Sequence, residues 1–285
     1  MSGPRAARSA WLLSPALLFM LVCFLAPLSV LIWGSVHVYE PGIDVSNHFT
    51  LRYYAALLGD PHYLKTMGRS LRVALLATVV CLLLGYPLAY LLARAPARVQ
   101  LVLLIIVFSP LFVGVVVRAF AWSIMLRSDG PVNGLLRALG LIEAPVRLLF
   151  TETGLVMALT HVFLPLMVLP IASVIQRIDP HIDAAGATLG GGPLRRFVYL
   201  LLPLSLPGVA AGCTLVFCLS ISAYVIPTLV AGERLLVMPV LVAQNFGITM
   251  NWSRGSAAAV VLVLLTVAVI VANSLVVERG RGRDT

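Results

Sequence analysis

Few residues in this chain can do chemistry, and they are sparsely placed. There are 11 Asp and Glu against 20 Lys and Arg, and every acidic residue falls in a polar link or a tail. A proton relay through a membrane needs ionisable groups at depth, and no carboxylate is available for one. The polar candidates inside the apolar runs are Arg118, His161 and Tyr224. Arg118 either lines a water-filled path or snorkels toward an interface, and both readings stay open. For His161 a hydrogen-bonded packing role is favoured over a ligand role. Tyr224, with Ser220 and Ser222 close by, can give its segment a polar face, although helix packing is the plainer reading. No Gly-x-x-x-x-Gly-Lys-[Ser/Thr] phosphate cradle, His-Glu-x-x-His pair or Gly-x-Ser-x-Gly elbow occurs. Cys23, Cys81, Cys213 and Cys218 sit singly in apolar runs, where they read as small hydrophobes, without metal-ligand spacing.

The most distinctive polar stretch is the interruption at residues 177–196, between two apolar runs. It reads as a short helix, a glycine turn and a second helix. Asp183 is placed to favour the first helix start by its charge. Ala184, Ala185 and Ala187 keep that helix thin enough for a groove on another protein. Gly190-Gly191-Gly192-Pro193 then breaks it, and Arg195 and Arg196 stand where the chain re-enters apolar sequence. Alone, this predicts a compact helical protrusion.

The elements that position these residues are long and apolar. Of the 285 residues, 60% are hydrophobic and 11% charged, against about 25% charged in soluble domains; mean hydropathy is +1.02. The net charge of +9 is therefore assigned to residues flanking membrane spans rather than to nucleic-acid binding. Six runs are long enough to cross ~30 Å of hydrocarbon as helices: residues 11–34, 71–93, 101–126, 154–175, 199–230 and 256–277. The first is too long for a signal-peptide core and is expected to be a retained span. The fifth exceeds one straight crossing, so Pro203, Pro207 and Pro227 are expected to kink it or trim its ends. Residues 51–58 carry helical spacing and paired tyrosines, predicting a short helix at the membrane surface that Asp60-Pro61 ends.

Six crossings leave both termini on one side. Arg5 and Arg8, Arg94 and Arg98, the 177–196 interruption, and Arg279, Arg281 and Arg283 mark the short basic segments that select the cytoplasm. The opposite links carry Glu40, Asp44, Asp60, Asp129, Glu143, Glu152 and Glu233. Trp122 is placed in the outer aromatic belt.

The 177–196 interruption resembles the cytoplasmic coupling loop of permease subunits in bacterial binding-protein-dependent ABC importers. That family's loop runs Glu-Ala-Ala, three residues, Gly, then a spacer ending in Leu-Pro. Anchoring on Gly190 and Pro203 places the Glu-Ala-Ala positions at Ala184, Ala185 and Gly186 with no gap. The glutamate is missing, and Asp183 stands one position early. Further stretches are similar to the spermidine/putrescine branch: Gly68-Arg69-Ser70-Leu71-Arg72, Gly85-Tyr86-Pro87-Leu88-Ala89-Tyr90, Val117-Arg118-Ala119-Phe120-Ala121-Trp122, Asp129-Gly130-Pro131-Val132-Asn133, His161-Val162-Phe163-Leu164-Pro165 and Asn251-Trp252.

The resemblance implies an all-α integral membrane protein with six transmembrane helices in the type I ABC importer permease fold. Residues 1–64 would form an N-terminal helix and periplasmic loop, 65–276 the permease core with its coupling loop at 178–198, and 277–285 a cytoplasmic tail. It implies a non-catalytic inner-membrane subunit that holds no cofactor, ATP and Mg being bound by two cytoplasmic ATPase subunits. A second, similar permease is the implied partner, ahead of a copy of the same chain, and a periplasmic binding protein delivers the solute. Polyamine is the first substrate implied; opines, amino-acid derivatives and thiamine are alternatives. A secondary transporter would need midplane ion-coupling groups, and an intramembrane enzyme a catalytic pair at depth; the spans supply neither.

Overall fold

The computed structural model describes residues 4–40 and 44–281, and the side chains of 14–38 and 48–274. The side chains of Arg5, Arg8, Arg279 and Arg281, of Glu40 and Asp44, and all of Arg283, lie outside the described set. Helix α1 spans Pro4–Ser35. A small antiparallel hairpin follows, β1 His37–Glu40 with β2 Asp44–Phe49, adding two strands to an otherwise helical chain. Next come α2 Arg52–Gly59, α3 Pro61–Arg94 and α4 Ala97–Phe108, then α5 Val115–Met125 and α6 Pro131–Ala138. After α7 Glu152–Arg177 the interruption supplies α8 Pro180–Thr188 and α9 Pro193–Arg196. The chain closes with α10 Leu202–Ser222, α11 Val225–Val230, α12 Met238–Gly247 and α13 Trp252–Arg281.

Five helical stretches are long and apolar enough to cross a membrane: Ser14–Ser35, Pro61–Arg94, Glu152–Arg177, Pro193–Ser222 and Trp252–Ser274. A bent pair, Ala97–Phe112 with Val115–Met125, meeting at 98°, is long and apolar enough when its two helices are taken together. The straight crossing expected for 101–126 is thus corrected to two pieces. Pro110, which lacks an N–H, sits in the 3₁₀ turn Ser109–Phe112, and Val113 and Gly114 are then extended, with ψ of 129° and 143°. The 199–230 run also divides, between α10 and α11. Ala223 leaves the helix with ψ 126°, and it is the residue whose carbonyl the Pro227 ring would strike in a continuous helix. Pro207 stays inside α10.

The contacts group the chain into two compact units, residues 65–240 with 264–285, and residues 1–64 with 241–263. In the larger unit α7 is the most enclosed element. Leu155, Leu159 and Val162 on α7 pack with Val73 and Ala77 of α3, Ala119 of α5, and Ile226 and Val230 of α11. Toward the other end, Met167, Ile171 and Ile175 pack with Cys81, Tyr86 and Ala89 of α3 and Val216 of α10. In hydrocarbon, close backbone approach replaces the hydrophobic drive. Two glycines of α10 provide it: a Cβ on Gly208 would lie 2.8 Å from the Pro170 carbonyl oxygen, and one on Gly212 would lie 2.8 Å from Met167 Sδ. Polar ties across the same helices include Tyr86 Oη with Ser205 Oγ at 2.8 Å and Asn273 Nδ2 donating to Thr214 Oγ1 at 2.8 Å.

In the smaller unit α1 is exposed from Ser14 to Pro27, as expected of a helix meeting lipid or another subunit. The tyrosines expected at the membrane surface on α2 are tied to protein instead. Tyr53 is buried, and Tyr54 Oη donates to Ser35 Oγ at 2.7 Å. The Arg254 guanidinium lies 4.9 Å from the Tyr63 ring centroid, a cation–π contact.

Candidate coupling loop and pathway face

The loop after α7 is built by local backbone chemistry. Ile178 is extended, and Asp179 caps α8, its Oδ1 accepting from the His181 N–H at 2.9 Å, with Pro180 in the first turn. The cap is thus Asp179, and Asp183 supplies the expected favourable charge in the helix's first turn. Asp-Pro just ahead of an alanine-rich run is the N-cap and N1 signal that identifies Asp179. Asp183 lies in the first turn and pairs with Arg196, whose Nη1 is 2.8 Å from Oδ2 and 3.2 Å from the Asp183 carbonyl oxygen.

Helix α8 ends in a Schellman turn. Gly190 takes φ +81°, and its N–H donates to Ala187 O at 3.0 Å while that of Gly191 donates to Gly186 O at 3.0 Å. Nothing lies within 4 Å of where a Gly190 Cβ would stand, so the glycine is needed for its backbone angle rather than for space. Gly186 is different: a Cβ there would fall 2.7 Å from Leu200 Cδ1, so the glycine lets α8 lie close to the re-entering chain. That chain passes through α9 into a π-helical turn, Phe197–Leu201, which leads directly into α10 with Pro203 in its first turn. The far side of the loop is tied to α3 by Arg94 Nη2, which donates to Ile178 O at 3.0 Å.

Nothing in α8 or α9 is buried. Ala184 and Ala185 are exposed, and so are Ile182, Leu189 and Leu194, the last two at 89% and 75%. Leu189 and Leu194 are absent from the sequence-derived residues because an isolated leucine in a loop carries no period.

The three pathway candidates fall on α5, α7 and the α10–α11 break. Arg118 on α5 has Nε and Nη1 buried with no hydrogen-bond partner among the described residues. One turn on, Trp122 Nε1 donates to His161 Nδ1 at 3.1 Å; the rings meet edge to face with centroids 5.4 Å apart. Trp122 thus makes a polar tie between α5 and α7. His161 itself is exposed. Tyr224 is 47% exposed, and its carbonyl oxygen accepts from Thr228 N at 3.1 Å and Thr228 Oγ1 at 2.8 Å. No hydrogen bond joins the Tyr224 side chain to Arg118 or His161.

A further polar cluster, not anticipated from sequence, lies at the opposite end of α3 from Arg94. Both carboxylate oxygens of Glu152, at the start of α7, accept from Arg72 Nη2, and Arg69 Nε is 3.5 Å from Glu152 Oε1. Arg69 Nη1 also donates to Leu236 O at 3.1 Å, and Ser70 Oγ accepts from Met238 N at 2.7 Å. Residues 80 positions apart give no local pattern from which to read such a clasp. Nearby, the buried Asn133 amide bridges the 127–146 loop, donating to Arg127 O and Val146 O at 3.0 Å and accepting from Val146 N at 2.9 Å.

A polytopic helical chain with a capped, glycine-turned protrusion between its fourth and fifth spans now has known proteins to be set beside. The profile of the binding-protein-dependent transport system inner membrane component matches residues 73–281. This chain belongs to that family. Among relatives, it is 34% identical over 217 residues to the spermidine/putrescine transport system permease protein PotB of Escherichia coli K12, covering 76% of this chain and 78% of that one. The Salmonella typhimurium SL1344 protein of that name is 33% identical, covering 76% and 75%. The inner membrane ABC transporter permease protein YdcU of E. coli K12 is 28% identical, covering 89% and 84%. A solved bacterial ABC transporter for import of the acidic polysaccharide alginate superposes with TM-score 0.78 at 14% identity, covering 96% and 98%; that likeness bears on fold alone.

As a binding-protein-dependent inner-membrane component, the chain is a multi-pass permease of an ABC importer with the type I fold. It is a transport subunit, not a catalytic one, and works with a binding protein.

Proposed function

We propose that the chain is the polyamine-translocating permease of an ATP-driven importer, with both termini and the 178–198 loop in the cytoplasm. Asp183, Ala184, Ala185, Gly186 and Gly190, with Pro203 at the root, form the element that docks on an ATPase. Two ATPase subunits bind ATP and Mg; a second, similar permease completes the path; a periplasmic binding protein delivers the solute. ATP binding favours one arrangement of the ATPase pair, the loop carries that preference into α10 through the π turn, and the helices exchange inward- and outward-facing states. Such a shift requires only that ATP bind the two states with different affinity.

One observation carries the coupling reading: the protrusion is rigidly ended by the Gly190 turn and braced by Arg196, yet buries none of its own residues. It is a preformed plug without a socket in its own chain. Asp183 is engaged with Arg196, and the surface offered to a partner is alanines and leucines.

The substrate reading rests on identity to proteins named as spermidine/putrescine permeases. The exposed Tyr224 ring supplies a cation–π face, and an importer whose selectivity lies in its binding protein needs only weak sites along the path. Arg118 faces that path and limits the dwell of a polycation. The test is reconstitution of the complex in liposomes with ATP and the cognate binding protein. Uptake of labelled putrescine or spermidine is expected. Uptake of an anionic opine with neither polyamine transported would overturn the substrate while leaving the importer untouched.

A further inference from the structure

A cavity of about 560 Å³ in the larger unit lies between the last turns of α3 and the chain leading from α9 into α10. Leu83, Tyr86 and Tyr90 line it from α3, Phe197 and Leu202 from the opposite wall, and the Asp183–Arg196 pair closes one end. Neither the coupling loop's exposed surface nor the Arg118 face uses it.

Four features define its occupant. The first is continuity with an outward apolar face: Leu83, which lines the cavity, is exposed, as are Val79, Leu84 and Leu91 on the same helix. The second is depth. Tyr86 and Tyr90 stand two turns and one turn before the basic end of α3 at Arg94, the level at which tyrosines meet lipid headgroups. The third is charge. The Arg196 guanidinium is only partly used: Nη1 pairs with Asp183, while Nε is buried and has no hydrogen-bond partner among the described residues. The fourth is shape: the wall opposite α3 is the π turn Phe197–Leu201, whose wider winding recurs at ligand sites.

We propose that this cavity holds one acyl chain of an anionic phospholipid, its phosphate accepting from Arg196 on the side of the bilayer that carries the 178–198 loop. The chain lies along Leu83 and Leu202, and the headgroup shares Arg196 with Asp183. A zwitterionic lipid of the same chain length fills the apolar part but brings its own cation beside the Arg196 guanidinium.

The test is photo-crosslinking of the purified full-length chain with phosphatidylglycerol bearing a diazirine midway along one acyl chain, against phosphatidylcholine with the same chain. Peptide mass spectrometry reads the adducts. Adducts on residues 82–90 and 197–209 are expected several-fold more often from phosphatidylglycerol. Leu83→Trp fills the cavity from an exposed position, so folding is spared, and it is expected to remove those adducts while leaving those on α1 unchanged. Arg196→Gln is expected to erase the headgroup preference. Thermal unfolding checks that both variants are folded. Equal labelling by the two lipids, or labelling indifferent to Leu83→Trp, would mean annular lipid and overturn the site. So would loss of the adducts when the assembled importer replaces the isolated chain, because the cavity would then be covered by protein.

Discussion

Arg196 Nη1 reaches back across the glycine turn to lie 2.8 Å from the Asp183 carboxylate, thirteen residues earlier. The contact joins the first turn of α8 to the end of α9, so the two short helices of the protrusion move as one body. The pair is partly exposed, at 23% and 55% for the two side chains, and surface ion pairs contribute only about 0–1 kcal/mol. Its consequence is orientation rather than stability. Arg196→Gln is expected to leave the melting temperature of the chain nearly unchanged and to lower solute-stimulated ATP hydrolysis by the assembled importer. The exchanged pair Asp183→Arg with Arg196→Asp is expected to recover part of that stimulation. Absence of recovery, with both single variants impaired, would contradict the brace.

The Arg69, Arg72 and Glu152 clasp joins the early turns of α3 to the first turn of α7. Two guanidiniums share one carboxylate, so neutralising it leaves both without a counter-ion. Glu152→Gln is expected to raise amide exchange at residues 69–73 and 152–156 without changing exchange in residues 165–175, which pack elsewhere. Uniform exchange across α7 in that variant would show that the clasp holds nothing locally.

Orientation is accessible to single cysteines in a background lacking Cys23, Cys81, Cys213 and Cys218. Asn133 and Gly191 are unsuitable reporters: Asn133 is buried in three hydrogen bonds, and a Cβ on Gly191 would lie 2.7 Å from Gly186 O. Glu143 and Ala187 are both exposed. An impermeant thiol reagent on intact cells is expected to label Glu143→Cys and spare Ala187→Cys. The reverse pattern would invert the protein in the membrane.

Arg118 bears a positive charge without a partner among the described residues. Repulsion grows with the charge of the solute, so removing it favours a trication more than a dication. Arg118→Gln is expected to raise the ratio of spermidine to putrescine uptake by a few-fold. An unchanged ratio would place Arg118 off the path.

The apolar runs were legible because hydrocarbon demands long unbroken helices, and Gly190 because a run of glycines before proline has few other uses. The 98° break in the third span was written in Pro110 and Gly114, yet hydropathy averaged across them conceals it. The α10–α11 break follows from Pro227 acting four residues upstream on Ala223, a distance at which a proline is easily credited with the wrong position. The Trp122–His161 tie and the Glu152 clasp join elements far apart in sequence. Single-chain patterns carry local periodicity and caps; they do not carry which faces meet. Asp179 was readable as a cap from Asp-Pro just ahead of the alanine-rich run.

Gly190 tests the coupling role most directly. Its φ of +81° is open to glycine and tolerable to asparagine, whereas a β-branched residue there is strained by about 1–3 kcal/mol. The measurement is solute-stimulated ATP hydrolysis by the assembled importer in liposomes, comparing the native chain with Gly190→Asn and Gly190→Val at equal membrane insertion. Near-native stimulation is predicted for asparagine, and loss of stimulation for valine with the complex still assembled. Normal stimulation in assembled Gly190→Val would contradict a loop that transmits the ATPase cycle into the membrane.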